Sequence, residues 1–314
     1  MSGRRVIGAG GLGRAAVATA AALATVATLG GAGRALAAQA AAPAPSARGM
    51  AHGAQGCIAV IATIHVGRGP NGIASDRRTS TIYVANGSSN TVSVISAGTD
   101  SVTATIPVGC SLQGVAVDPR TDTIYVTSRL GNAVSVINGR TNAVTATVPV
   151  GAQSFTVAVD PGANKIYVPF FGGTVFVISG RTNTVTAKIP VGTGARGVAV
   201  DPLTHTIYVA NGDDDTVSVI NGRTSTVTAT VAVGHGPVQV AVHPKTHTIY
   251  VTNNGSIVAP NDTVSVINGR SNTVTATITV GSDPEGVAAS SRTNTAYVAD
   301  HGDGTVSVLG PCPV

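Results

Sequence analysis

Few side chains in this sequence could do chemistry. Its 314 residues include one glutamate, seven histidines and three cysteines, and charged residues make up only 11%. The glutamate, Glu285, falls just before the innermost strand of a repeated unit, where the other repeats carry Asn71, Gln113, Phe155, Arg196 and Val238. A carboxylate, a guanidinium and two amides around an aromatic ring would suit a small-molecule pocket. If that pocket is catalytic, Glu285, Arg196 and His235 are the candidate groups of a hydrolase or lyase at a channel mouth. His235 and His301 lie among segments that differ between repeats, which makes them the histidines to consider for acid-base or metal work. Asp213 and Asp215, within Asp213-Asp214-Asp215, offer the oxygen ligands calcium prefers; their spacing is not that of an EF-hand and consecutive aspartates cannot all point inward, so a solvated turn is the favoured reading. Phe170, Phe171 and His301 complete the candidate ligand-binding set with Asn71, Gln113, Phe155, Arg196 and Glu285. His205 and His247 occupy matching turn positions and are read as turn solvation. Arg140, Arg181, Arg223 and Arg270 recur at another turn and could meet an anionic envelope polymer or only water. The sequence holds no Gly-x-Ser-x-Gly elbow, no Walker loop, no His-Glu-x-x-His and no cysteine pair at zinc spacing, so it gives no support to nucleophilic or zinc chemistry. No cofactor is called for, and the balance leans to binding over catalysis.

The elements that must position these residues follow from a repeat. All six tyrosines, Tyr83, Tyr125, Tyr167, Tyr208, Tyr250 and Tyr297, stand in versions of one apolar run, at intervals of 42, 42, 41, 42 and 47 residues. A period of about 40 to 45 residues with several short strands per unit marks a propeller blade. Val, Thr, Ile, Gly and Asn dominate and Trp is absent, which favours β-branched strands joined by tight turns. Residues 197–233 show the unit well: strand a at 197–201, b at 206–210, c at 216–220 and d at 226–233. Asp-Pro ends strand a, and Asn-Gly is read as the hairpin from c to d, with glycine supplying positive φ. The fold class expected is therefore all-β, a six-bladed β-propeller of four-stranded antiparallel blades.

The sixth unit runs out before its strand d, while Ile61-Ala62-Thr63-Ile64-His65-Val66-Gly67 resembles a strand d that precedes the first strand a. Pairing that N-terminal strand with the last blade would complete it and remove both sheet edges. Laid on the repeat, Cys57 and Cys312 fall side by side in this closing hairpin, although 255 residues apart, and a disulfide between them is expected in an exported protein. Cys110 is left unpaired, as a buried thiol or, less favoured, in an intermolecular contact.

Tyr250-Val251-Thr252-Asn253, with the variants Tyr83-Val84-Ala85-Asn86, Tyr208-Val209-Ala210-Asn211 and Tyr125-Val126-Thr127-Ser128, resembles the signature of the YVTN-repeat β-propellers, and the resemblance covers residues 57–314. It implies an exported or surface-associated protein similar to archaeal surface-layer proteins and bacterial periplasmic propellers, without implying a reaction. Many such proteins have seven blades, where six are counted here. A structural role in a surface layer or cell wall is one reading the resemblance leaves open; a metal ring like that of propeller lactonases matches in residue type only.

Residues 1–37 read as a signal peptide, with Arg4, Arg5 and Arg14 ahead of an apolar stretch and Ala35-Leu36-Ala37 as a cleavage site; Arg4-Arg5-Val6-Ile7 resembles a twin-arginine start. Residues 38–56, rich in Ala and Pro, read as a disordered linker, and residues 57–314 as the propeller. Without the four arginines of the first 37 residues, 15 basic residues face 14 acidic ones, so nucleic acid is not an expected partner. The expectation is a monomer outside the cytoplasm, at the cell surface or in the periplasm. It would have no transmembrane anchor after cleavage, and would bind a small molecule, a protein or an envelope polymer.

On a propeller the a-to-b and c-to-d turns share one face, the b-to-c and d-to-a loops the other. The first face is monotonous, whereas the second varies from blade to blade. Recognition is therefore placed on the variable face.

Overall fold

A computed structural model describes residues 62–151, 153–256 and 259–310. These residues form 23 strands and no helix. The strands build five four-stranded antiparallel sheets and one of three strands: β1–β4 (residues 70–107), β5–β8 (112–149), β9–β12 (158–190), β13–β16 (195–232), β17–β20 (237–279) and β21–β23 (284–309). Successive sheets stand side by side about an axis, β5 packing on β1, β9 on β5, β13 on β9, β17 on β13 and β21 on β17. This is the expected β-propeller.

The two central strands of the second to fifth blades have neighbouring blades on both sides, which explains their unbroken apolar runs. In β14 (Thr206–Asn211), Ile207, Tyr208, Val209 and Ala210 are all buried, whereas the outer strand β16 (Thr226–Ala232) is mostly exposed, with Val231 turned inward. The cores consequently lie between blades. Tyr83, Val94 and Ile106 of the first blade pack with Leu112, Ile124 and Ile137 of the second, and the pattern repeats to the fifth and sixth.

Two turn chemistries differ from expectation. The Asn-Gly glycines of the c-to-d connections do not adopt positive φ; that conformation falls to Asn142, Asn183, Ser225 and Asn272 at the end of each turn. Asn221 Oδ1 accepts from the backbone N–H groups of Arg223 and Thr224, and Ser225 N–H donates to the Asn221 carbonyl. Glycine is needed for a different reason. A Cβ on Gly222 would stand 2.8 Å from the Tyr167 hydroxyl of the preceding blade, and one on Gly269 would stand 2.6 Å from that of Tyr208.

His205 and His247 are not there to solvate turns. His205 Nδ1 lies 2.6 Å from Asp160 Oδ2, and His247 Nδ1 lies 2.6 Å from Asp201 Oδ2. Each ties the a-to-b turn of one blade to the end of the inner strand of the blade before it.

The closing strand is the main departure. Residues 62–66 belong to no strand, and β23 has no fourth partner among the described residues. Elsewhere strand d follows strand c through a short local turn; here it would have to be recruited across the whole chain, at a much larger loop-closure cost. No inter-blade core among the described residues joins β21 to β1. Ile73, Tyr297, Val306 and Val308 are 52%, 37%, 38% and 60% exposed, where their counterparts Val115, Tyr125, Val134 and Val136 are all below 10%. Ile61, the signal and linker segments, and the Cys57 and Cys312 pairing lie outside the described residues.

Candidate functional site

The inner strands surround an axial cavity of about 470 Å³. Below its mouth it is apolar, walled by Val115, Val157, Val198, Val240 and Val287, and it opens sideways at the sixth blade against Tyr297 and Val306. Asn71, Gln113, Phe155, Arg196 and Gln239 line it as well. The backbone explains how the first residues of the inner strands come to face it. The strand a to strand b register slips between Pro70 and Gly72, Leu112 and Val115, Ala195 and Val198, Pro237 and Gln239, and Pro284 and Gly286. Each irregularity leaves one unpaired residue at the inner end of its blade, or two in the second and fourth blades, and re-aims the first side chain.

Five of the six expected ring positions, Asn71, Gln113, Phe155, Arg196 and Val238, do line the cavity. Glu285 does not. It is 3% exposed, and its backbone carbonyl accepts the Thr252 hydroxyl at 2.9 Å. Asn71 spends part of its amide on the Leu112 carbonyl at 2.9 Å.

The second, third and fourth blades contribute a stack at the mouth. The Arg129 guanidinium lies 5.0 Å over the Phe155 ring, Phe155 meets Phe171 edge to face at 6.3 Å, and the Arg196 guanidinium lies 5.2 Å over Phe171. Phe171 comes from the loop after β10, Phe155 from the segment before β9 and Arg196 from the start of β13. Thr156 Oγ1 donates to the Arg196 carbonyl and Gly194 N–H to the Phe171 carbonyl, which holds the two backbones. Among the described residues neither arginine has a carboxylate within 4.0 Å, and Nε of each is buried without a hydrogen-bond partner. Burial holds the Arg196 pKa below its ordinary value; nearby Asp213 opposes this, Arg129 adds to it and Glu285 opposes it. Arg129 was not among the expected site residues, although its place in a variable loop was a usable signal. Phe170, which was, turns away and packs edge to face on Phe176 at 6.3 Å.

The acids of the b-to-c loops are committed to the adjoining d-to-a loops. Asp214 accepts from Thr193 N–H at 2.8 Å and Thr193 Oγ1 at 2.6 Å, and these bonds hold its pKa low. Asp303 takes the same bonds from Ser282, each at 2.7 Å. Asp215 accepts from Gly236 N–H at 2.8 Å and contacts His235 Nδ1 at 2.9 Å. The three consecutive aspartates thus do not converge on one point. A different group does converge: Asp283, Glu285 and His301 bring ligand atoms within 4.8 Å of one another. His301 Nδ1 lies 3.0 Å from Asp283 Oδ2, and that bond, with the Glu285 charge, raises the His301 pKa. Cys110 is a free thiol and is exposed, not buried as expected.

No family model matches this chain, and no curated protein matches it. Among solved structures, a chain of Kuenenia stuttgartiensis hydrazine synthase is similar, with a TM-score of 0.55 at 16% identity over 82% of this chain and 99% of that one. At that identity the likeness shows the fold alone.

Proposed function

We propose that this chain is an exported binding scaffold, not an enzyme, which takes its ligand on the variable loop face over the axial cavity. The observation that carries this reading is the contrast between the two ends of the blades. The a-to-b and c-to-d turns repeat one capping scheme, whereas the inner ends on the other face present a different side chain in each blade around a cavity of about 470 Å³, within the range of small-molecule pockets. The basic, apolar and small-residue segments of residues 1–37 support the export component, and the Tyr-Val-Thr-Asn runs support kinship with YVTN-repeat propellers. The test is a fragment library screened by amide NMR on the secreted protein. Shifts gathered on the b-to-c and d-to-a loops and the cavity valines are the expected result; shifts confined to the opposite turns would overturn it. N-terminal sequencing of the same material should begin near residue 38.

A second reading, lactonase-like hydrolysis or lyase chemistry, is favoured by Asp283, Glu285 and His301, whose types and proximity suit a divalent cation. Its test is metal analysis after dialysis against calcium, zinc or manganese. A stoichiometric ion lost in Glu285→Gln would support it, and metal-free protein would remove it.

A further inference from the structure

Resting on the loop-face reading, we propose that the ligand is an amphipathic organic anion, its carboxylate held between the Arg129 and Arg196 guanidiniums and its apolar body lying in the valine-walled cavity. Each guanidinium already has one flat face against a phenylalanine ring, Phe155 for Arg129 and Phe171 for Arg196. Cation–π contact fixes the plane of the fork and leaves its N–H edge available, which is the edge that binds carboxylate in a bidentate way. Rotamer entropy that a flexible arginine would lose on binding has been lost in advance.

The charge distribution asks for an anion. Arg129 lies close enough to Arg196 to add to the lowering of its pKa, against Asp213 and Glu285, neither arginine has an ion-pair partner among the described residues, and a buried Nε of each donates to nothing there. A carboxylate between them would relieve the repulsion and supply acceptors together. Asp213 and Glu285 already act on Arg196, so a single negative charge suits the site better than a dianion.

The rest of the cavity specifies the body of the ligand. Val115, Val157, Val198, Val240 and Val287 offer no polar side-chain atom, and Gln113 and Gln239 supply amides near the rim. An inorganic anion would leave this wall uncovered, and a neutral apolar molecule would leave the arginines as they are.

The experiment uses matched probes, 4-phenylbutanoate and its neutral isostere 4-phenylbutanamide, titrated into the propeller by calorimetry and followed by valine-methyl NMR. The acid should bind at least about tenfold more tightly than the amide, the scale of one charge-assisted hydrogen bond. Arg196→Gln and Arg129→Gln should each abolish most of that preference, and Arg270→Gln, on the opposite face, should alter the binding of neither probe. Equal binding of acid and amide at the cavity valines would refute the anion assignment and leave the loop face standing. If neither probe shifts those valines, the assignment falls; the loop-face reading falls with it only if the fragment library also misses that face. Should an arginine variant fail to fold, the acid-to-amide ratio of the unaltered protein still decides.

Discussion

Raising the pH above 10 should take this propeller apart through its tyrosines. Tyr83, Tyr125, Tyr167 and Tyr208 are at most 1% exposed, wedged between one blade and the next. Burial first, and then nearby aspartates, push the phenols of Tyr83, Tyr125 and Tyr208 from 10.0 up to about 12, and that of Tyr167 still higher. A folded-state pKa above the unfolded one means a contribution fully present below pH 10 and lost as the pH climbs toward the folded value. With 1.36 kcal/mol per pKa unit, each of the three phenols near 12 withdraws about 1.4 kcal/mol at pH 11 and about 2.3 kcal/mol at pH 12. Together they remove roughly 4 and then 7 kcal/mol, against a total that for ordinary domains is about 5–15 kcal/mol. The assay is tyrosinate absorbance at about 295 nm recorded with far-ultraviolet circular dichroism along one titration. Absorbance should lag an unfolded control in urea by more than a pH unit, then rise in step with loss of the β signal. Ordinary titration of most tyrosines near pH 10 with the sheet signal intact would refute the inter-blade burial on which the reasoning rests.

Two further outcomes are expected. Asn211 is fully buried, and its amide donates to Thr216 Oγ1 at 3.0 Å and Ser218 Oγ at 2.9 Å; Asn211→Ala leaves both hydroxyls short of a partner and should cost about 2–4 kcal/mol, read as a lower urea midpoint at unchanged slope, and a cost below about 1 kcal/mol would show that this bridge matters little. His301 should titrate above 6.5 by imidazole NMR because of its bond to Asp283 and the Glu285 charge, and Asp283→Asn should lower that value; stability from this pair is present in acid and fades as the pH rises through the raised value.

The four-stranded unit was legible because its signals are local: apolar runs bounded by Asp-Pro and Asn-Gly repeat at one interval, and each strand pairs with its sequence neighbour. What went unread involves partners in another blade. Glycine after Asn221 is a matter of the Tyr167 hydroxyl, not of the turn's own φ, and His205 and His247 are explained by acids 45 and 46 residues earlier. The ring of inner-end residues was readable from alignment alone, since one bulge recurs at the same place in five blades. The burial of Glu285 beneath that ring was not, because it depends on how the fifth and sixth blades meet. Arg129 was passed over because its place in a variable loop marks the face, and only the Phe155 ring beneath its guanidinium marks the residue.

The seam between the sixth and first blades gives this propeller a direction. Each inner tyrosine from Tyr83 to Tyr208 is seated against the following blade, and the exposed Tyr297 has no such seat among the described residues. Among the described residues six units are joined by five interlocks, which leaves the ring one unlike junction. Across the ring from it lies the junction of the third and fourth blades, where Arg196 meets Phe171, so a guest held there rests on blades flanked on both sides.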